Sequence, residues 1–251
     1  LELNPGFVAG LDYHMKDDYG AGASDVSALA GVHYFMCRPY YKEVVELSSP
    51  PSGNYYFIEK MKKQVESGQV LTQHLVSEIK EKPSGFEIKL VDVKNQQLKT
   101  VLARKIIYAG QKHALKYIYP AGYELFKNNS YAPWMVVNVL VRDTLPTPGY
   151  WQNEMLTEDT SFLGFVDSDT QHSIDKKHRV LTAYYCLPEH SRKDLIHVNK
   201  NKAVIAKKTI DQISVYFGMD ITSEVIKVFI KVMGHAMPIP KPGYLFDDKN
   251  Q

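Results

Sequence analysis

From Val225 to Val232 the chain alternates, with Ile226, Val228, Ile230 and Val232 set against Lys227, Phe229 and Lys231. A period of two predicts a strand. The strand runs into Met233-Gly234-His235-Ala236-Met237-Pro238-Ile239-Pro240-Lys241-Pro242-Gly243, where Gly234 leaves the backbone uncovered and three prolines stiffen the segment beyond it. This stretch predicts a rigid loop at a strand end, a common setting for a ligand wall. Tyr131 to Val141 alternates in the same way: Met135, Val137, Val139 and Val141 fall on one face, and Trp134, Val136, Asn138 and Leu140 on the other. Further strands are predicted at Phe162 to Val166 and Val180 to Leu187, flanking a polar loop from Asp167 to Arg179 that holds His172 and His178 as solvated side chains. From about Lys202 the period changes to 3.6: Ala206, Ile210, Ile213 and Phe217 form an apolar helical stripe closed by Gly218.

The middle of the chain reads as a helix followed by strands. Ile58, Met61 and Val65 recur at helical spacing from Tyr55, with Ser52 as the candidate N-cap and Gly68 as the stop. Strands are then predicted over Val70 to Lys80, Gly85 to Val93 and Thr100 to Ala109, with Lys94-Asn95-Gln96-Gln97 as the turn between the last two. Ile106-Ile107-Tyr108-Ala109 is apolar on both faces and predicts a buried strand opening on Ala109-Gly110. Residues 1 to 53 are rich in Gly, Asp, Ser and Tyr. They predict one short helix, Ser27 to Phe35, and a break at Pro50-Pro51. The resulting fold class is α/β in the mixed α+β sense, without an internal repeat.

Composition narrows the function classes. With 44% hydrophobic and 23% charged residues, the 251-residue chain has ample apolar material for a core. Its 30 basic and 28 acidic residues leave a formal charge of +2, and no long run of one sign argues for a nucleic-acid partner. Cys37 and Cys186 fit no metal or redox spacing and read as small core residues. No run of eighteen apolar residues predicts a transmembrane segment. The opening Leu1-Glu2-Leu3-Asn4-Pro5-Gly6 is neither a signal peptide nor an initiator methionine, so we expect a piece of a longer protein. Asn138 is the single polar residue inside its predicted strand. If buried, its amide either ties down neighbouring groups or faces a polar cavity.

Three stretches together resemble the flavin amine oxidase family, FAD-dependent oxidoreductases related to monoamine and polyamine oxidases, and within it spermidine dehydrogenase-like proteins. The first is Pro51-Ser52-Gly53-Asn54 with its helix, then Val70 to Val76 and Ile79, then Ala103 to Ala109. The second is Tyr131 to Asn138, with Leu163-Gly164-Phe165-Val166-Asp167 downstream. The third is Gly234-His235-Ala236-Met237-Pro238 to Pro242-Gly243. The resemblance implies part of an FAD-binding, Rossmann-like domain over 51–120. It implies a substrate domain with a mixed β-sheet flanked by helices over 121–243, to which 1–50 also belongs, and a tail at 244–251 that stops before a C-terminal cofactor segment. It further implies that Val76 touches adenine through its backbone, that Ala109 and Gly110 allow close approach of FAD, and that Gly234, His235 and Ala236 line the flavin. Asn138 then faces the substrate, and His235 is the titratable group of the set.

Departures from the family's pattern bear on chemistry. Asn138 stands where many of these oxidases have a lysine, and an amide cannot act as a base. Met233 stands where relatives have tryptophan. No Gly-x-Gly-x-x-Gly fingerprint opens a βαβ unit. Two readings are left. One is a fragment of an FAD-dependent oxidoreductase transferring hydride from a small amine-type substrate to flavin, inactive and cofactor-free by itself. The other is a non-catalytic, oxidase-like module that binds a ligand or partner.

Overall fold

The computed structural model describes residues 3–37, 50, 52–66, 68–146, 150–168 and 177–246; Pro51 and His172 lie outside them. The chain divides into two compact units. One comprises residues 1–51 and 130–245, the other 52–129 and 246–251.

The larger unit is built on a five-stranded sheet of order β5-β6-β7-β4-β8, formed by β4 (Ser130–Arg142), β5 (Gln152–Glu154), β6 (Phe162–Asp167), β7 (His178–Cys186) and β8 (Val225–Ile239). Every pairing in it is antiparallel, so the sheet is not mixed. The alternation in β4 does what its period requires. Met135, Val137, Val139 and Val141 are buried and pack with Phe162, Phe165, Leu181, Ala183 and Tyr185 against helix α6 (Lys202–Phe217). That helix ends at Gly218 in the left-handed conformation (φ 64°), as its sequence predicts. Of the predicted stripe, Ile213 is fully buried and Ile210 and Phe217 pack against the core; Thr209 is fully buried beside it, and its hydroxyl bonds Ile205 O and Tyr185 Oη.

Two features of this unit depart from the sequence reading. The first is α1 (Pro5–Tyr19), a fifteen-residue helix that precedes α2 (Ala28–Met36). Asn4 caps it, accepting from Gly6 N at 2.8 Å, with Pro5 in the first turn and Gly20 (φ 72°) at its end. The second concerns Met233 to Ile239, which is strand rather than loop. It stays in the ladder because Ser130, Tyr131 and Ala132 pair with Ile239, Pro238 and Met237.

The smaller unit holds α3 (Asn54–Lys62) and a three-stranded antiparallel sheet, β1 (His74–Lys82), β2 (Gly85–Asp92) and β3 (Gln97–Ala103). It also holds the short helices α4 (Leu115–Ile118) and α5 (Pro120–Tyr123). Ile79, Leu90 and Leu115 make its small core. The helix α3 starts from Gly53 rather than Ser52 and stops well before Gly68, because it buries no side chain that would favour further turns. The expected buried strand at Ile106 to Ala109 is absent: none of the described residues pairs with it, and Ile107 is 94% exposed. The β2–β3 turn is locked by Asp92, which accepts from Asn95 N (3.1 Å), Asn95 Nδ2 (3.0 Å) and Lys99 Nζ (2.7 Å). The Lys99 ammonium, and then Asn95, hold its carboxyl well below the usual carboxylate range.

Candidate functional site

The face of the larger sheet opposite α6 carries the unusual chemistry. Register places Trp134, Val136, Asn138 and Leu140 of β4 beside Cys186, Tyr184, Thr182 and Val180 of β7, with Met233, Lys231, Phe229 and Lys227 of β8 on the other flank. Among the described residues, no buried cluster of this unit includes Val136, Asn138 or Leu140, which are half-buried. A sheet normally covers both faces or makes the second one polar; among the described residues only the Trp134 end of this second face is covered, and the rest is not fully polar.

At its centre Asn138 is tied across the strands, its Oδ1 accepting from Thr182 Oγ1 at 2.8 Å. That leaves the amide nitrogen with two donors on a half-apolar surface. At one end the Trp134 and Tyr184 rings lie parallel, 1° apart in tilt with centroids at 6.1 Å. The buried Trp134 Nε1 and Tyr184 Oη have no hydrogen-bond partner among the described residues. Helix α1 covers this end. Tyr13 Oη donates to Leu163 O (2.5 Å), and one turn later Asp17 Oδ2 accepts from Gln152 Nε2 (3.3 Å). Burial, then the Asp17 charge, pushes the Tyr184 phenol up to about 12, and burial likewise raises the Cys186 thiol to about 12. Asp17 is itself raised, by burial first and then by Asp18.

The edge of this face shows why Gly234 to Ala236 is not an ordinary strand segment. Pro133 lies inside central strand β4 and has no N–H for the ladder. Opposite it, pairing jumps from Ala132↔Met237 to Trp134↔Met233, so Gly234, His235 and Ala236 bulge out against a single residue. Arg192, from the 3-10 segment Glu189–His197, closes the gap: Nε donates to Gly234 O (2.6 Å) and Nη2 to Tyr131 O (2.5 Å). His235 is half-buried, edge-on to the Tyr131 ring at 5.8 Å.

The residues singled out in sequence thus fall in different places. Asn138, Gly234, His235 and Ala236 belong to the larger unit, on β4 and on the adjacent bulge of β8. Val76, Ala109 and Gly110 belong to the smaller one. Val76 is on β1, beside a bulge at Ser77, and β1 pairs only with β2 among the described residues, which leaves its outer edge unpaired. Ala109 and Gly110 are exposed and outside any strand. A Cβ at Gly110 would meet the Tyr108 ring at 2.8 Å, so an intrachain contact already accounts for that glycine. Sequence reasoning missed Thr182, Tyr184, Asp17 and Arg192. Period two in β7 could have put Tyr184 and Thr182 on one face, and Asn4-Pro5 with Gly20 could have located α1, but nothing local marks Arg192. No group of described residues has the make-up of a metal site, and no described helix is long and apolar enough to cross a membrane.

No known protein family and no curated protein matches this sequence. Among solved structures, the chain is similar to the crystal structure of an oxidoreductase from Methanosarcina mazei. The TM-score is 0.61 at 12% identity, over 94% of this chain and 53% of that one. The likeness shows a shared fold, mixed helices with antiparallel sheets, and this chain spans about half the length of that protein.

Proposed function

We propose that the chain is part of an FAD-dependent oxidoreductase of the flavin amine oxidase kind, and that the uncovered face of its five-stranded sheet forms the substrate wall. The observation that carries this reading is the face itself. It is a half-apolar surface with one anchored amide at its centre, in a chain that shares its fold with a protein described as an oxidoreductase.

The residues fit a flavin in part. A Cβ built on Gly234 would meet only the Arg192 stem, at 3.6 Å and 3.8 Å, and the backbone there is not left-handed. The fold therefore has no need of glycine at 234, whereas close approach of a flat ring does. The unpaired edge of β1 offers backbone donors and acceptors at Val76 suited to an adenine edge, and Ala109 is open to solvent. In this reading, within the larger unit, Gly234 to Ala236 run beside the flavin ring. When bound, the flavin supplies the hydride acceptor for oxidation of an amine-type substrate. The chain's own residues bind and orient. Asn138, its carbonyl spent on Thr182, presents amide N–H donors to a polar group of the substrate. The Trp134 and Tyr184 rings exclude water at one end, and His235 supplies the imidazole that can hold or move a proton.

A second reading rests on Asn138 too: its own row across the sheet, Thr182–Asn138–Phe229, holds an amide where a base would be needed, as expected of a binding module without catalysis. The experiment compares this chain with the same chain extended by its flanking sequence. The 251-residue chain is expected to purify colourless, and the longer protein with the visible spectrum of bound flavin. In the longer protein, Gly234→Val should weaken FAD binding more than it weakens folding. A longer protein that binds no flavin and oxidises no amine would overturn the oxidoreductase reading in favour of the module. Unchanged FAD affinity in Gly234→Val would remove the β8 bulge from the cofactor site.

A further inference from the structure

We propose that the open part of the sheet face binds a carboxylic acid with an apolar body, a proposal that rests on the reading of this face as a substrate wall and names what the wall holds. Asn138 stands opposite Phe229 in the β4–β8 ladder, and Lys227 and Lys231 lie two residues to either side of that ring, on the same face. Both lysines are therefore diagonal neighbours of Asn138. Such neighbours are about 7–8 Å apart at Cα, within reach of a long side chain. The Lys227 ammonium is drawn inward, 4.7 Å from the centroid of the Phe229 ring. With Oδ1 occupied by the Thr182 hydroxyl, Asn138 offers its Nδ2 donors to the same row. Amide N–H and ammonium groups thus converge where a carboxylate has acceptors to give.

Among the described residues neither lysine pairs with a carboxylate. The other charged groups around the face are engaged or lie elsewhere. Asp17 and Glu154 stand by Tyr184 at the covered end. Beyond the opposite end, Arg142 donates to the Ser223 carbonyl (2.6 Å) and Glu224 accepts from the Thr144 hydroxyl (2.6 Å). The open part therefore presents two cations and an amide, with no acid of the described chain to balance them.

Between those donors the surface is apolar: Val136 and Leu140 of β4, and Phe229, which is 50% exposed. A bare anion draws nothing from the apolar surface and a neutral hydrocarbon nothing from the cations, whereas an apolar acid uses both. Lysine on an edge strand such as β8 also discourages pairing with another sheet. That role calls for an ammonium out in solvent, and does not account for one drawn over a ring that faces Asn138.

The probes are hexanoate, its neutral and cationic matches hexanol and hexylammonium, and inorganic phosphate as the bare anion. Binding to the 251-residue chain is followed by NMR shifts of the Asn138 side-chain amide and of the Thr182 and Phe229 backbone amides. We expect hexanoate to bind at least tenfold more tightly than hexanol, hexylammonium or phosphate, with an affinity that falls as salt rises. Lys227→Gln and Asn138→Asp should each weaken it at least fivefold. The first removes the charge; the second keeps an acceptor for Thr182 and sets a like charge against the ligand. Lys207→Gln, on α6, removes the same charge elsewhere and should leave the affinity unchanged. Equal affinity for hexanoate and hexanol, phosphate binding as tight as hexanoate, or a Lys227→Gln variant no weaker than Lys207→Gln overturns the proposal. A lowered Tm in Asn138→Asp would leave the decision to Lys227→Gln, whose side chain is exposed. The measurement needs no flavin. A longer protein that binds no FAD would sink the oxidoreductase reading and leave the acid preference standing, whereas loss of that preference sinks this proposal alone.

Discussion

Removing the Arg192 side chain tests the account of the β8 bulge most directly. Its guanidinium makes two short hydrogen bonds to main-chain carbonyls, Gly234 O within the bulge and Tyr131 O on the neighbouring stretch of β4. A hydrogen bond from a charged donor contributes about 1.5–3 kcal/mol when its loss strands a buried partner. The Arg192 side chain is 30% exposed, so water can re-solvate part of what Arg192→Ala abandons. The 3.6 Å contact of Glu189 with Nη2 is a surface pair that adds little. Counting two bonds at the low end of that range gives a loss of about 2–3 kcal/mol. In a unit of this size that is a fall in Tm of roughly 5–10 °C. Urea unfolding measures the loss, and amide exchange locates it, with protection expected to fall over Met233 to Met237 and to persist in the β4–β7 ladder. Arg192→Lys, which can still reach one carbonyl, should recover about half. A variant within about 0.5 kcal/mol of the parent, with exchange unchanged over the bulge, would refute the clamp.

Three further outcomes are expected. Gly164→Ala should destabilise the larger unit by about 2–4 kcal/mol in chemical denaturation, because φ is +119° and a Cβ would collide with the Asn153 carbonyl; a loss under about 1 kcal/mol contradicts the geometry. Asn138→Leu and Thr182→Val should each cost about 1 kcal/mol singly but less than their sum together, since they share one hydrogen bond; additive losses in the double-mutant cycle would show that the pair does not interact. In the smaller unit, the Asp92 turn contributes stability above the ordinary aspartate range. It should be lost only as pH falls through the depressed value of Asp92. NMR titration of the Asp92 carboxyl with a midpoint at or above that of a free aspartate would contradict it.

The sequence by itself determines whatever a few neighbouring residues can enforce. The stripe ending at Gly218 yields α6, Phe86 to Val93 yields a hairpin strand, and the alternation of β4 assigns Met135, Val137, Val139 and Val141 to the core because a strand's faces are set by its own period. It also exposes Asn138 as the one polar residue within that strand, half of the candidate site. Partners across the sheet decided the rest. Met233 to Ile239 reads as a loop by composition, yet Ser130 to Ala132 recruit it into β8. Ile106 to Ala109 reads as a strand, yet none of the described residues forms a ladder with it, and a strand without a partner has nothing to hold it. The amide of Asn138 acquires its role only from Thr182, forty-four positions away. Gly234 acquires its setting from Pro133 and Arg192, and the Trp134–Tyr184 pair is covered by a helix more than a hundred residues upstream. Those contacts close long loops, and it is the summed burial and hydrogen bonding of the folded unit, rather than any local preference, that offsets their entropic cost.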